Sequence, residues 1–452
     1  MFEKKYEHRN RSVIYYYPDP VEKANEELLN GNHLSVECDN DSGKNTIYIH
    51  IPFCKSICAY CSFIKVVKRD ELVKQYLHAL KREIKAYANT EYIKSLTFSA
   101  IFFGGGTPTI LTIEQMEDLI KTIFDSFKIA ENYEFTVEGT LSTFTVKMLT
   151  TLKKRGVTRI SMGVQTFNEA IGEDLNLPQK QSVAETVINN AYDIGIREIN
   201  VDLMYDLPGQ TLDIFTQDIL KAVSTKITHI SLFPMNITTD STVFRRTDDK
   251  ASLEHLLDDK RDFEYYDLAC NLLEQNGFVQ KTSTDWYRKG HEFKINSCEI
   301  DGRCERLSLG VGSLGEINEI VYINDVTIKR YIEVMEQEEV RLPISIYSTL
   351  WNNKMNQFMV LGMRKLEIDM SVFKKVFSKD IYEVFGKQID ILLKEKYAVI
   401  KEDKISLTRL GAFYVVNISI DLFMEEPYRS CHVLPMYYQN KEKVYCEDTV
   451  EL

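Results

Sequence analysis

Six short runs of apolar, β-branched or aromatic residues, separated by stretches of helical periodicity, constrain this chain more than any other feature. The runs are TIYIHI (Thr46 to Ile51), AIFFG (Ala100 to Gly104), EFTVEG (Glu134 to Gly139), RISMGV (Arg159 to Val164), EINVDL (Glu198 to Leu203) and HISLF (His229 to Phe233). Runs of this length read as buried parallel strands. Between them, ELVKQYLHALKREIKAYA and IEQMEDLIKTIFDSF repeat with a helical period. FTVKMLTTLKKRG and VAETVINNAYDIG do so too, each closing on a glycine suited to the position after a helix. Repeated strand–helix–strand units imply a parallel sheet with right-handed crossovers. Six units are too few for a closed eight-stranded barrel, so the expected fold class is α/β, an open partial (β/α)6 barrel.

In such sheets chemistry collects at the carboxyl ends of the strands. The unusual residues fall there: GGGTPT follows the second run, Glu138 ends the third, Gln165 the fourth and Asp202 the fifth. After Pro234 the rhythm lapses. A helical region near 250 to 280 leads to a Gly-rich stretch, LSLGVGSLGEI (Leu307 to Ile317). From about Tyr347, helices lead into YAVIKEDKISLTRLGAFYVVNI, which reads as a hairpin plus helix, winged-helix-like. The expected organisation is an N-terminal extension (1–45), the partial barrel (46–245), a barrel extension (246–345) and a C-terminal domain (346–452).

The charge balance narrows the partners. With 55 basic against 67 acidic residues the net charge is −12, the wrong sign for a nucleic-acid binder. No run is long enough to span a bilayer, and the N-terminus lacks the apolar core of a secretory signal. A cytoplasmic, reducing location is expected, so the nine cysteines are not a disulfide framework.

Three of them form one tight group. In YIHIPFCKSICAYCSF, Cys54, Cys58 and Cys61 have C-x3-C-x2-C spacing directly after the first strand. Iron–sulfur clusters take thiolates, normally four, and structural zinc also closes on four ligands. Three cysteines leave one coordination position open, the condition for binding and activating a small molecule. Zinc with a distant fourth ligand stays open on spacing alone. Gly104, Gly105 and Gly106 end a strand where a ligand must approach the backbone closely, and their bare backbone can offer N–H and C=O groups. Cys298, Cys304, Cys431 and Cys446 read as buried thiols in preference to ligands of a second metal, and His50 as either a packed core histidine or a proton donor.

YIHIPFCKSICAYCSF, FFGGGTPT, RISMGVQTFN and INVDLMYDLPGQT together resemble the oxygen-independent coproporphyrinogen III oxidase (HemN-like) family of radical S-adenosylmethionine (SAM) proteins, from about Thr46 to Ile317. The resemblance implies a [4Fe–4S] cluster on Cys54, Cys58 and Cys61, with SAM contacts at Tyr48, Gly105, Gly106, Thr107, Glu138, Gln165 and Asp202. It implies one or two SAM molecules, a reducing donor such as flavodoxin or ferredoxin, and a tetrapyrrole substrate. The C-terminal region is compatible with the C-terminal domain of that family.

Three departures steer the reading within the family. Leu177 stands where an Arg near a second SAM is usual, and Phe63 where porphyrinogen-oxidising members commonly have another Cys. The H-N-x-x-Y-W signature of heme-chaperone members is absent. The third strand ending in VEG, and STDWYRKGHEFKINS (Ser283 to Ser297) before the Gly-rich stretch, are similar to the branch that opens heme without oxygen by radical methyl transfer. That resemblance implies reductive cleavage of SAM to a 5′-deoxyadenosyl radical, ring opening and iron release. The alternatives are a coproporphyrinogen oxidase-like decarboxylase, a heme-binding chaperone without radical turnover, and a structural zinc protein. Arg288, Lys289 and His291 of WYRKGH are candidate partners for propionates.

Overall fold

The structure, a computed structural model, describes residues 6, 8–13, 32–39, 41–178, 180–236, 241–243, 258–294, 304–338, 340, 342, 346–348 and 351–425. All six expected strands form: β1 (Asn45–Ile51), β2 (Phe98–Gly105), β3 (Ile129–Gly139), β4 (Arg159–Gln165), β5 (Glu198–Tyr205) and β6 (His229–Pro234). They pair in parallel in chain order. The intervening helices are α1 (Asp70–Ala88), α2 (Ile113–Ser126), α3 (Val146–Lys154), α4 (Ala184–Ile194) and α5 (Leu212–Val223). Each buries one stripe on the sheet. In α1 that stripe is Val73, Tyr76, Leu77, Leu80, Ile84 and Tyr87, while Asp70 and Glu71 sit in its first turn, where the helix dipole favours acids. α2 opens on a reciprocal capping box between Thr112 and Gln115.

The sheet extends beyond the six runs. α6 (Asp259–Gln275) leads to β7 (Phe278–Gln280) and β8 (Asp285–Arg288), which pair antiparallel beyond β6. On the other edge, β9 (Arg306–Leu309) pairs parallel with β1. β10 (Leu314–Ile317), β11 (Ile320–Ile323) and β12 (Ile346–Ser348) follow antiparallel. The order is β12-β11-β10-β9-β1-β2-β3-β4-β5-β6-β8-β7, an open sheet with seven parallel strands at its centre. The Gly-rich stretch thus supplies a seventh parallel strand. Its place beside β1 was hidden because the pairing partner lies some 260 residues away in sequence.

The strands are not apolar on both faces. Ile47, Ile49, Phe103, Val137, Met162 and Val201 face the helices and are fully buried. The alternate positions, Thr136, Ser161, Asn200, Asp202 and Ser231 among them, line the inner face of the curved sheet. There the side chains of Asn200, Ser161, Asp202 and Ser231 bond one another. The C-terminal residues build a separate antiparallel sheet of Glu367–Asp369, Lys404–Leu407 and Ala398–Lys401, packed with helices, as the winged-helix-like reading expects.

The N-terminal segment ties these parts together. Arg9 bonds Tyr205, Asp262 and the Phe413 carbonyl, and Arg11 bonds Asp206, Asp262 and the Met235 carbonyl. All of these groups are buried, so each guanidinium is matched by carboxylates as burial requires. Among the described residues no helix is long and apolar enough to cross a membrane.

Candidate active site

The cysteine loop begins where β1 ends. Phe53 and Cys54 pair in a short parallel ladder with Val66 and Val67, so the loop leaves the sheet and returns beside its own start. Its far side is tethered by Ala59, whose N–H donates to the Leu175 carbonyl and whose carbonyl accepts from Val243. Ala59 and Tyr60 pack with Leu175, Met204, Leu207 and Met235, and Leu177 joins the same apolar patch. This lays the loop across the carboxyl ends of β5 and β6.

Cys54, Cys58 and Cys61 lie within electrostatic reach of one another. Burial pushes the Cys54 thiol up to about 11, opposed by the Thr107 hydroxyl, which donates to its Sγ at 3.7 Å. Cys58 is pushed up to about 12 by burial and its two neighbouring thiols, with a hydrogen bond to Tyr60 opposing this. Among the described residues, no three His, Cys, Asp or Glu side chains converge enough to hold a single metal ion. A multi-iron cluster spreads its thiolates over different irons and does not need that convergence. The donor set fits such a cluster: soft sulfur ligands, a hydroxyl on one of them, and Lys65 bonded to the Cys61 carbonyl at 2.7 Å.

The glycines pack against the start of the loop. Gly105 has φ +108°, and a Cβ there would stand 2.6 Å from the His50 ring. A Cβ on Gly106 would stand 2.8 to 2.9 Å from the backbone of Ile51, Pro52 and Phe53. The Gly106 N–H is bonded to the Ile51 carbonyl at 2.8 Å and the Gly105 N–H to Glu138 Oε2 at 3.2 Å. The motif therefore seats the cysteine loop first. A ligand meets it through carbonyls, or displaces the Glu138 bond, which narrows the role expected for its N–H groups.

Glu138 and Asp202 stand across the inner face from each other. Burial pushes Glu138 up to about 8, and the charge of Asp202 adds to the rise. Burial lifts Asp202 to about 7 against the pull of Arg159, with Asn200 bonding its Oδ1 at 2.7 Å and Ser161 at 3.3 Å. Two buried carboxyls, both raised by burial and one raised further by the charge of the other, are suited to a ligand bearing positive charge. SAM brings an ammonium and a sulfonium, so these residues fit it. Gln165 holds a left-handed backbone (φ 66°) at the end of β4, a conformation that costs a non-glycine residue about 1 kcal/mol or more.

Tyr48 reaches His50 through its hydroxyl at 3.1 Å, and the other His50 nitrogen meets the Ile64 carbonyl at 3.0 Å. Burial pushes His50 down to about 4, so it is a neutral brace between β1 and the cysteine loop. Glu83 of α1 braces the Gly-rich stretch by accepting from Gly310, Asn324 and Tyr331.

Two expectations change. WYRKGH does not lie at the carboxyl ends of the strands. Arg288 is bound by the carbonyls of Val223, Ile227 and Asn276, and His291 meets Glu198 at the start of β5. This region closes the opposite end of the sheet because β8 runs antiparallel to β6. Cys304 is half-buried, and Cys298, Cys431 and Cys446 lie outside the described residues. Sequence reasoning missed Arg159, Ser161 and Asn200. The available signal was polar residues at every second position of otherwise apolar strands.

An open parallel barrel carrying three thiols and a carboxylate pair at its carboxyl end defines the radical SAM class of protein. The radical SAM superfamily pattern matches residues 48–222 and the HemN C-terminal domain pattern residues 352–414. The heme chaperone HemW of Bacillus subtilis is 32% identical over 345 residues, 76% of this chain and 87% of that protein. Anaerobilin synthase of Escherichia coli O157:H7 is 23% identical over 325 residues, covering 72% and 73%. The solved structure of coproporphyrinogen III oxidase (HemN) from Escherichia coli superposes with a TM-score of 0.76 at 21% identity, over 93% of this chain and 97% of that one. The chain belongs to the HemN-like family of the radical SAM superfamily, whose cofactors are a [4Fe–4S] cluster and SAM.

Proposed function

We propose that the chain binds heme on a radical SAM scaffold, in the manner that the name of the heme chaperone HemW implies. The observation that carries this reading is the 32% identity to the Bacillus subtilis heme chaperone across 87% of its length. This moves the chaperone alternative ahead of heme ring opening. Ring opening is the second reading, favoured by the VEG end of β3, the missing H-N-x-x-Y-W signature and the likeness to anaerobilin synthase.

In either reading Cys54, Cys58 and Cys61 would hold the cluster, and Thr107 donates to the Cys54 sulfur. Glu138 and Asp202 would receive the cationic groups of SAM, with Asn200 and Ser161 orienting Asp202. Tyr48, Gly105, Gly106 and Gln165 complete the rim. When bound, the cluster and SAM supply one-electron chemistry, and the protein's part is to orient the ligand and exclude water. The apolar cover of Leu175, Leu177 and Met235 over the loop serves that exclusion.

The test is a heme titration of chain reconstituted anaerobically with iron and sulfide, followed by reductant and SAM. Saturable binding with a lasting Soret band, and little 5′-deoxyadenosine, is the expected result. No saturable binding would overturn the reading. Loss of the Soret band together with 5′-deoxyadenosine formation would transfer it to ring opening.

A further inference from the structure

Gln165 sits where the backbone does not go freely. The register between β4 and β5 slips by one residue between Gly163 and Gln165, a bulge of the kind that re-aims a side chain. The Thr166 N–H donates to the Val164 carbonyl at 2.9 Å, which closes a three-residue turn on Gln165. With φ at 66° this is the rare, strained hand of that turn. Its result shows at Gly163, where an added Cβ would stand 2.9 Å from Gln165 Nε2. The Gln165 amide thus folds back over Gly163, whose neighbour across the ladder is Asp202.

Strain of this kind persists only where the surroundings fix it. Here a buried carboxylate does so. Asp218 of α5 is 2% exposed; its Oδ1 accepts from the Phe167 N–H at 2.6 Å and its Oδ2 from the Thr166 hydroxyl at 2.8 Å. Both donors lie within two residues of Gln165. The Thr166 oxygen in turn accepts from the Asn168 N–H at 3.0 Å. Gln210 donates to Asp218 Oδ2 at 3.2 Å and to the Met204 carbonyl at 3.3 Å, so the same carboxylate also reaches the turn after β5. Every one of these partners is a donor, so the ionised form is the one that fits. Burial pushes the carboxyl up to about 6, and the bonds from Phe167, Thr166 and Gln210 oppose the rise. For packing alone a buried charge is a costly filler, and an apolar side chain would serve better.

We propose that Asp218 is a positioning residue: by holding Thr166 and Phe167 it keeps the Gln165 turn in its strained form, and so keeps the Gln165 amide over Gly163 for a SAM molecule bound beside Asp202. The inference rests on the reading that Gln165 belongs to the SAM rim. Asp218 acts only through the turn.

The experiment uses full-length chain reconstituted anaerobically with iron and sulfide, and titrates SAM by calorimetry at pH 7.5. Asp218→Asn sets an N–H where a donor must be accepted, and should weaken SAM binding about tenfold. Gln165→Ala should weaken it by about the same factor. In the Gln165→Ala background, Asp218→Asn should cost no more than about a further twofold, because the side chain it positions is gone. Thr166→Val removes the hydroxyl at nearly the same volume and should weaken binding about threefold, while Thr166→Ser should restore the parent affinity. Asp213→Asn, at an exposed acid of the same helix, should leave SAM affinity unaltered. Iron content and the visible spectrum should match the parent throughout.

Full additivity of Asp218→Asn and Gln165→Ala would overturn the proposal, because Asp218 would then act on the fold at large. So would parent-like SAM affinity in Asp218→Asn. Loss of iron from that variant would also overturn it, placing the effect at the cysteine loop through Gln210 and Met204. Should Asp218→Asn fail to fold, equal affinities of Thr166→Val and Thr166→Ser would overturn the proposal. Parent-like affinity in Gln165→Ala would remove Gln165 from the rim and the proposal with it. Absence of heme binding with the coupling intact would remove the heme reading and leave the role of Asp218 standing.

Discussion

The two ends of the barrel's inner face treat charge in opposite ways. At the amino ends of the strands, Glu198 meets His291, Glu134 accepts the Lys294 N–H, and Arg159 lies over the Phe293 ring at 5.1 Å. His229 donates and accepts between Thr228 and the His291 carbonyl. These groups are local partners for one another, and the segment around Phe293 closes the end. At the carboxyl ends, Glu138 and Asp202 face each other with amide and hydroxyl partners, and both are pushed toward neutrality. At the amino end most of these groups meet fixed protein partners, although Glu134 Oε1 and Arg159 Nε have no hydrogen-bond partner among the described residues. At the other end, two carboxyls raised by burial would be matched by a cationic ligand, which is what would distinguish a binding site from a structural plug made of the same residue types.

The largest test of this contrast is to remove one charge at the carboxyl end. Glu138→Gln should weaken SAM binding by about tenfold or more, as loss of a charged hydrogen bond implies. Asp202→Asn should act in the same direction. The cofactor-free protein should respond the other way. A carboxyl raised from 4.5 to about 8 keeps its proton in the folded state while the unfolded chain loses it. Stability is therefore present at low pH and declines as pH climbs through that window. Glu138→Gln removes this part of the decline, so near pH 9 it should match or exceed the parent by about 2 kcal/mol. Calorimetric SAM titration and thermal melts from pH 5 to 9 report both. A variant that binds SAM like the parent would end Glu138's part in the site.

The carboxyl end was the more legible of the two. Glu138, Gln165 and Asp202 interrupt apolar runs at places where the strand–helix rhythm puts chemistry, and the cysteine spacing needs no tertiary information. The amino end was unreadable because its partners are distant: His291 is 93 residues from Glu198, and Lys294 is 160 from Glu134. WYRKGH drew attention as a basic run, but Arg288 spends its donors on backbone carbonyls. Arg159 and Asn200 failed for a different reason. Reading each strand as apolar on both faces discarded the alternation that marks the inner face. The β9 strand was assigned no element because only its Gly-rich composition was read, although Leu307 and Leu309 pack in the core beside β1.

A middle-sized effect is expected from His229. Burial pushes it down to about 2, so it stays neutral in the fold while the unfolded chain protonates near 6.5. Its contribution is complete above pH 6.5 and is lost as the medium becomes acidic, the reverse of Glu138. His229→Phe keeps a ring against Phe293 but leaves Thr228 and the His291 carbonyl without this partner. About 1 to 2 kcal/mol of stability should be lost at pH 7.5, with the deficit narrowing toward pH 5. SAM affinity should stay within about twofold, because the ring lies at the opposite end from Glu138 and Asp202. Melts across that pH range check the sign.

The smallest effect belongs to Glu198→Gln. Glu198 and His291 are joined at 3.0 Å, but the two side chains are 35% and 38% exposed, so water and salt screen the pair. Exposed pairs of this kind contribute about 0 to 1 kcal/mol, and a glutamine still offers His291 an acceptor. The melting temperature should therefore move little and should move less at high salt. SAM affinity should not change. A larger loss, or a shift in SAM binding, would show that the plug and the carboxylate pair are coupled, and Arg159 is where to look. It sits over Phe293 yet pulls on both Glu138 and Asp202, so it is the residue through which a charge lost at one end would reach the other.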